Sequence, residues 1–92
     1  MKFEWDENKN KVNKRKHGIS FEEASTVFQD KNALLIADPE HSDDEDRFLL
    51  LGISTRLNLL VVCHCLRQTD TVIRIISARK ATTAETKQYT EY

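Results

Sequence analysis

Two glycines, one proline and two cysteines in a chain of 92 residues leave several kinds of chemistry without raw material. A P-loop and a dinucleotide-binding turn both need glycines clustered where backbone closes on phosphate, and no such cluster occurs. The patterns of a nucleophile elbow and of a metalloprotease helix are missing too. Cys63 and Cys65 are too close together on an extended segment to staple a fold, which points to a reducing compartment. No apolar run approaches a membrane span, and the opening stretch MKFEWDENKNK is polar almost from its first residue, unlike a signal peptide. The expectation is a cytoplasmic protein with no membrane partner.

Overall positive charge is also lacking: the formal net charge is -1. The charges are nevertheless segregated. KNKVNKRK, Lys9 to Lys16, carries five basic residues and no acid, whereas DPEHSDDED, Asp38 to Asp46, carries six acids and no base. From Arg47 to Lys80 six basic residues face one acid, Asp70. Such separation gives one basic face and one acidic loop despite a sum near zero. A chain this short supports one domain with one modest core.

Phe3 to Trp5 could form a short strand ahead of Asp6, an N-cap for a basic helix over Glu7 to Lys16 that stops at Gly18. Ser20 and Glu23 have capping-box spacing and open a second helix with Phe21, Ala24, Val27 and Phe28 on one face, ending near Asp30. Four short apolar runs follow, Ala33 to Ala37, Phe48 to Ser54, Asn58 to Leu66 and Thr71 to Ser77, with TRLN and RQTD as turns. Thr82 with Glu85 is a second capping box, opening a short C-terminal helix. The expected fold is α+β: helices on one face of a roughly four-stranded antiparallel sheet, the other face at least partly open.

Arg74 lies inside the most strand-like run, IRIIS, and an unpaired arginine does not belong in a helix-covered core, so it marks the open face. Strict alternation sends Arg79 to the opposite face. The two can share a site only if the strand ends near Ser77 or a bulge re-aims it; otherwise they are solvated edge charges. In CHC, alternation separates His64 from Cys63 and Cys65, so the triplet does not converge on one metal ion, and no metal or other cofactor is expected. His17 suits a helix C-terminus and His41 lies in the acidic run. Glu85 and Tyr89, four apart on the last helix, either cap and pack or orient a phosphate and move a proton. Several arginines on a small sheet beside a basic helix suit a phosphodiester backbone.

KHGISFEEASTVFQD, DPEHSDDEDR, LLLGIS, IRIISARKAT and the closing Glu85 and Tyr89 together resemble, in order and spacing, the BrnT family of ribonuclease toxins from bacterial type II toxin–antitoxin modules. The family pattern falls on Lys16, His17, Gly18, Phe21, Glu23, Ala24 and Phe28, on Asp38, His41, Glu45, Arg47 and Gly52, and on Arg74, Ser77, Ala78, Arg79, Ala81, Glu85 and Tyr89. His64 and Cys65 stand where that pattern has an aromatic residue or threonine, so no role is carried over to His64. The resemblance implies a compact RelE-like domain and metal-independent mRNA cleavage that inhibits translation. It also implies neutralisation by a dimeric BrnA-type ribbon-helix-helix antitoxin, in a complex of two toxins and two antitoxins that binds operator DNA through the antitoxin.

Cleavage of RNA without a metal needs a proton taken from the 2'-hydroxyl, charge stabilised on the phosphorane and a proton given to the leaving 5'-oxygen. Arg74 and Arg79 are expected at the scissile phosphate, with Arg47 and Lys80 in support. His41, Glu45 and Tyr89 are the acid and base candidates, with Lys16 and His17 behind them, and Lys80, Lys16, His17 and Arg67 are expected to hold RNA. Two other readings compete. One is a catalytically weak toxin-like module acting as partner and co-repressor of a DNA-binding antitoxin; the other is a non-catalytic RNA-binding domain, disfavoured by the lack of an aromatic pair on the open strand.

Overall fold

The computed structural model describes residues 1–38 and 46–91. Helix α1, Glu7–His17, follows the short strand β1, Lys2–Glu4. Asp6 caps α1 by accepting from the backbone N–H groups of Asn8 and Lys9, Glu7 sits at its positive end, four basic residues fill its last turn, and Gly18 ends it at φ 73°. Helix α2, Phe21–Thr26, continues as a single 3-10 turn to Gln29. The Ser20 oxygen caps it through the Glu23 N–H. The reciprocal half of that capping box is not made: the Glu23 carboxylate instead accepts from Ser54 Oγ at 2.7 Å and Asn58 Nδ2 at 2.8 Å, tying α2 to the next hairpin.

Strands β2, Leu34–Ile36, β3, Phe48–Ile53, β4, Leu59–Arg67, and β5, Val72–Lys80, precede helix α3, Thr83–Glu91. The sheet has five strands, not four, in the order β1-β5-β4-β3-β2, and it is mixed because β1 pairs parallel to β5. Sequence inspection marks Phe3 to Trp5 as extended but does not show its parallel partner, since the crossover through α1 and α2 decides it.

Helices also cover both faces rather than one. On the first, Ile19, Phe21, Ala24 and Val27 pack onto Leu60, Val62, Ile73, Ile75 and Ala78. Burial of each of the larger side chains contributes about 1.5–3 kcal/mol. On the second, Leu49, Leu51, Val61 and Cys63 meet Ile36, Leu59, Ile76, Ala81 and Tyr89 from α3. This second helix explains why β5 is apolar on both sides. Helix α1 docks differently, because its buried residues are Asn10 and Asn13. The Asn13 amide accepts from the Ala78 N–H at 3.1 Å and donates to the carbonyls of Ala78 at 2.8 Å and Ile19 at 2.9 Å, so one side chain clips the edge of β5 as a neighbouring strand would.

Candidate nucleic-acid interface

The pairing of β4 with β5 contains the feature that organises this surface. Cys63 pairs with Ser77 but His64 pairs with Ile75, so Ile76 is an extra residue and β5 is bulged. Residues directly opposite in a ladder point to the same side. Arg74 opposes Cys65 and Arg79 opposes Val61, and Val61, Cys63 and Cys65 share the α3 face of the regular strand β4. The bulge therefore returns Arg79 to the face that Arg74 occupies, with the two Cα atoms roughly 13 Å apart along the strands. Arg67 opposes Val72 and extends the same row. Arg47, just before β3, acts electrostatically on the Cys63 thiol and so lies beside the same face.

Each of the two central arginines is drawn to a carboxylate. Arg74 donates to Glu4 of β1 at 2.9 Å, a contact made possible because Glu4 is its parallel register partner. Arg79 forks onto both oxygens of Glu85 at 2.8 and 2.9 Å. Glu85 also completes the capping box with Thr82, accepting from the Thr82 N–H at 2.9 Å while its own N–H donates to Thr82 Oγ1 at 3.2 Å. The hydrogen bond from Arg79 leads the causes that pull its carboxyl down to about 2. The arginines thus share a face without converging: their guanidinium groups are held by different strands and helices.

Tyr89 packs on this face, but its hydroxyl donates to Asp30 Oδ2 at 2.7 Å, a bond that pushes its pKa up to about 12. Burial opposes ionisation of Asp30, yet the Ile53 N–H, the Tyr89 hydroxyl and the Asn32 N–H outweigh it and lower its pKa. Lys80 opposes Leu60 and is on the α2 side of the sheet, away from Arg74 and Arg79. Lys16 and His17 line a groove between α1 and β5. His41 and Glu45 lie outside the described residues.

His64 is an aromatic-box residue: its ring meets Phe28 at 4.8 Å and Phe48 at 5.9 Å, Nδ1 contacts the Val62 carbonyl at 3.2 Å, and burial lowers its pKa. Burial pushes the Cys63 thiol up. Among the described residues no group of three His, Cys, Asp or Glu side chains is placed to hold a metal ion. No helix there is long and apolar enough to cross a membrane. Glu4 and Asp30 are the site partners that sequence reasoning missed; their contacts span 70 and 59 residues and leave no local signal.

A small α+β domain that gathers four arginines along one sheet face has the chemistry of a phosphodiester-binding protein. The profile of the family "Ribonuclease toxin, BrnT, of type II toxin-antitoxin system" matches residues 5–85, and the chain belongs to that family. The crystal structure of the Brucella abortus ribonuclease toxin BrnT superimposes with a TM-score of 0.69 at 25% identity, over 90% of this chain and 99% of that one. A search of curated proteins found no significant match.

Proposed function

We propose that this chain is a metal-independent endoribonuclease that cleaves mRNA, inhibits translation and is neutralised by a BrnA-type antitoxin in a complex of two toxins and two antitoxins, which binds operator DNA through the antitoxin. The observation that carries this reading is the β5 bulge, since it gives Arg74 and Arg79 a common face. A base takes the 2'-hydroxyl proton, the 2'-oxygen bonds to phosphorus, the bond from phosphorus to the 5'-oxygen breaks, and an acid returns a proton to that oxygen. Arg74 and Arg79 approach the RNA backbone from either side of the bulge and offset the negative charge that grows on the scissile phosphate, and Arg47 and Arg67 hold flanking phosphates. Glu85 and Glu4 are positioning residues that fix the two guanidinium planes. Tyr89 anchors α3 in this scheme, because a hydroxyl committed to Asp30 with its pKa near 12 is a poor base at neutral pH. Proton transfer then falls to His41 or Glu45, with Lys16, His17 and Lys80 contributing to the RNA path.

A second reading has one observation in its favour. Both arginines already pair with carboxylates, as they would with an acidic antitoxin segment in a partner-only module. Purified protein incubated with RNA in the presence of a chelator separates the two. The ribonuclease yields fragments ending in 2',3'-cyclic phosphate and 5'-hydroxyl, and leaves DNA of the same sequence intact; intact RNA, with harmless expression in the absence of antitoxin, establishes the partner-only role instead.

A further inference from the structure

The outer edge of β5 is covered in two places and open between them. Strand β1 pairs with Val72 to Arg74, and the Asn13 side chain clips Ala78. At the gap, the bulge residue Ile76 and its neighbour Ser77 form one wall of a groove of about 340 Å³, whose other wall is α1. Lys9 and Lys16 supply cationic groups there, and His17 adds a polar ring to the lining. The single acid in the lining, Asp6, is already engaged with the backbone N–H groups of Asn8 and Lys9 as the helix cap. Val12 stands 55% exposed among these cations and, with Ile76, gives the groove an apolar floor.

That combination of an apolar floor and a basic rim matches a nucleotide, whose base seeks a dry surface while its phosphate seeks cations. The position matters as much as the lining. Arg74 precedes Ile76 by two residues and Arg79 follows Ser77 by two, so the mouth of the groove lies between the two arginines along β5, roughly 7 Å from each Cα. A strand whose scissile phosphate sits on the arginine face can pass over the bulge and continue toward α1.

Building on the ribonuclease reading above, we propose that the groove between α1 and the bulged edge of β5 is a second RNA subsite, which holds the nucleotide adjoining the scissile linkage. It extends the substrate class from any accessible phosphodiester to a single-stranded segment with room to leave the sheet at Ser77. A duplex cannot follow this path, because the groove has the volume of one nucleotide.

The test is fluorescence anisotropy with a single-stranded RNA hexamer made uncleavable by 2'-O-methylation, using the parent, Lys9→Ala, Val12→Asp and the control Lys87→Ala on α3. The subsite requires Val12→Asp to weaken binding about tenfold, and Lys9→Ala to weaken it several-fold while reducing the salt slope by about 0.7; Lys87→Ala binds as the parent does. Both groove residues are exposed, and circular dichroism checks that the variants fold. Parent-like affinity of both groove variants overturns the subsite, as does a loss confined to binding of an acidic protein partner. Whether the parent cleaves unmodified RNA is read separately, so failure of the subsite and failure of the ribonuclease reading give different results.

Discussion

Asn13→Ala is the substitution whose cost can be worked most directly from the structure. The Asn13 amide makes three buried hydrogen bonds, two to Ala78 and one to Ile19. Each is worth about 1 kcal/mol net, and truncation leaves the Ala78 N–H and carbonyl unpaired on an edge that α1 shields. A loss of about 3 kcal/mol follows, which for a chain of this size lowers Tm by roughly 15 °C. Against a total stability of about 5–15 kcal/mol that is a large fraction. Asn13→Asp should fare no better, because a carboxylate keeps the acceptor for the Ala78 N–H but offers no donor to either carbonyl. Thermal unfolding followed by circular dichroism reads both. Since Ala78 lies between the bulge and Arg79, RNA cleavage at a temperature where the variant is folded should also fall. A drop in Tm below about 4 °C for Asn13→Ala, or recovery of parent stability in Asn13→Asp, would refute the view that this side chain takes the place of a missing strand.

Two further perturbations test the packing around this site. A Cβ on Gly52 would stand 2.8 Å from Val27 Cγ1, 3.0 Å from Ala33 Cβ and 3.1 Å from Asp30 Oδ2, so Gly52→Ala should cost about 1–3 kcal/mol in a urea melt, and a neutral result would show that the 3-10 turn after α2 yields easily. His64 is held neutral by burial, with a folded pKa below its ordinary 6.5, so protonation favours the unfolded chain. Its contribution is intact above about pH 6.5 and is lost as pH falls toward the depressed folded pKa; the urea midpoint of the parent should therefore fall more steeply below pH 6.5 than that of His64→Phe, and parallel curves would contradict the assignment.

Local chemistry was readable in the sequence wherever local chemistry decides structure. The Asp6 cap, the Gly18 stop and the Thr82–Glu85 box all form, because each depends on residues within a few positions of one another. The Ser20 box half-forms, since a buried Ser54 and Asn58 compete for the Glu23 carboxylate from 31 and 35 residues away. Alternation identified the condition under which Arg74 and Arg79 share a face but could not decide it, because a bulge depends on how β4 pairs and not on the composition of β5. The same limit hid Glu4, whose partner is fixed by a parallel register, and the covering of the second sheet face by α3. The sequence reads as leaving that second face partly open, because the C-terminal helix is short and polar and its one large apolar contact, Tyr89, carries no local sign that it packs on the sheet.

The central claim is that the arginines gathered by the β5 bulge stabilise the cleavage transition state. Single-turnover cleavage of a short RNA by Arg74→Ala and Arg79→Ala, each shown by circular dichroism to be folded, measures it directly. Loss of one charge contact of about 3 kcal/mol predicts a rate roughly a hundredfold below the parent for each variant. Folded variants that cut RNA at the parent rate would contradict the account.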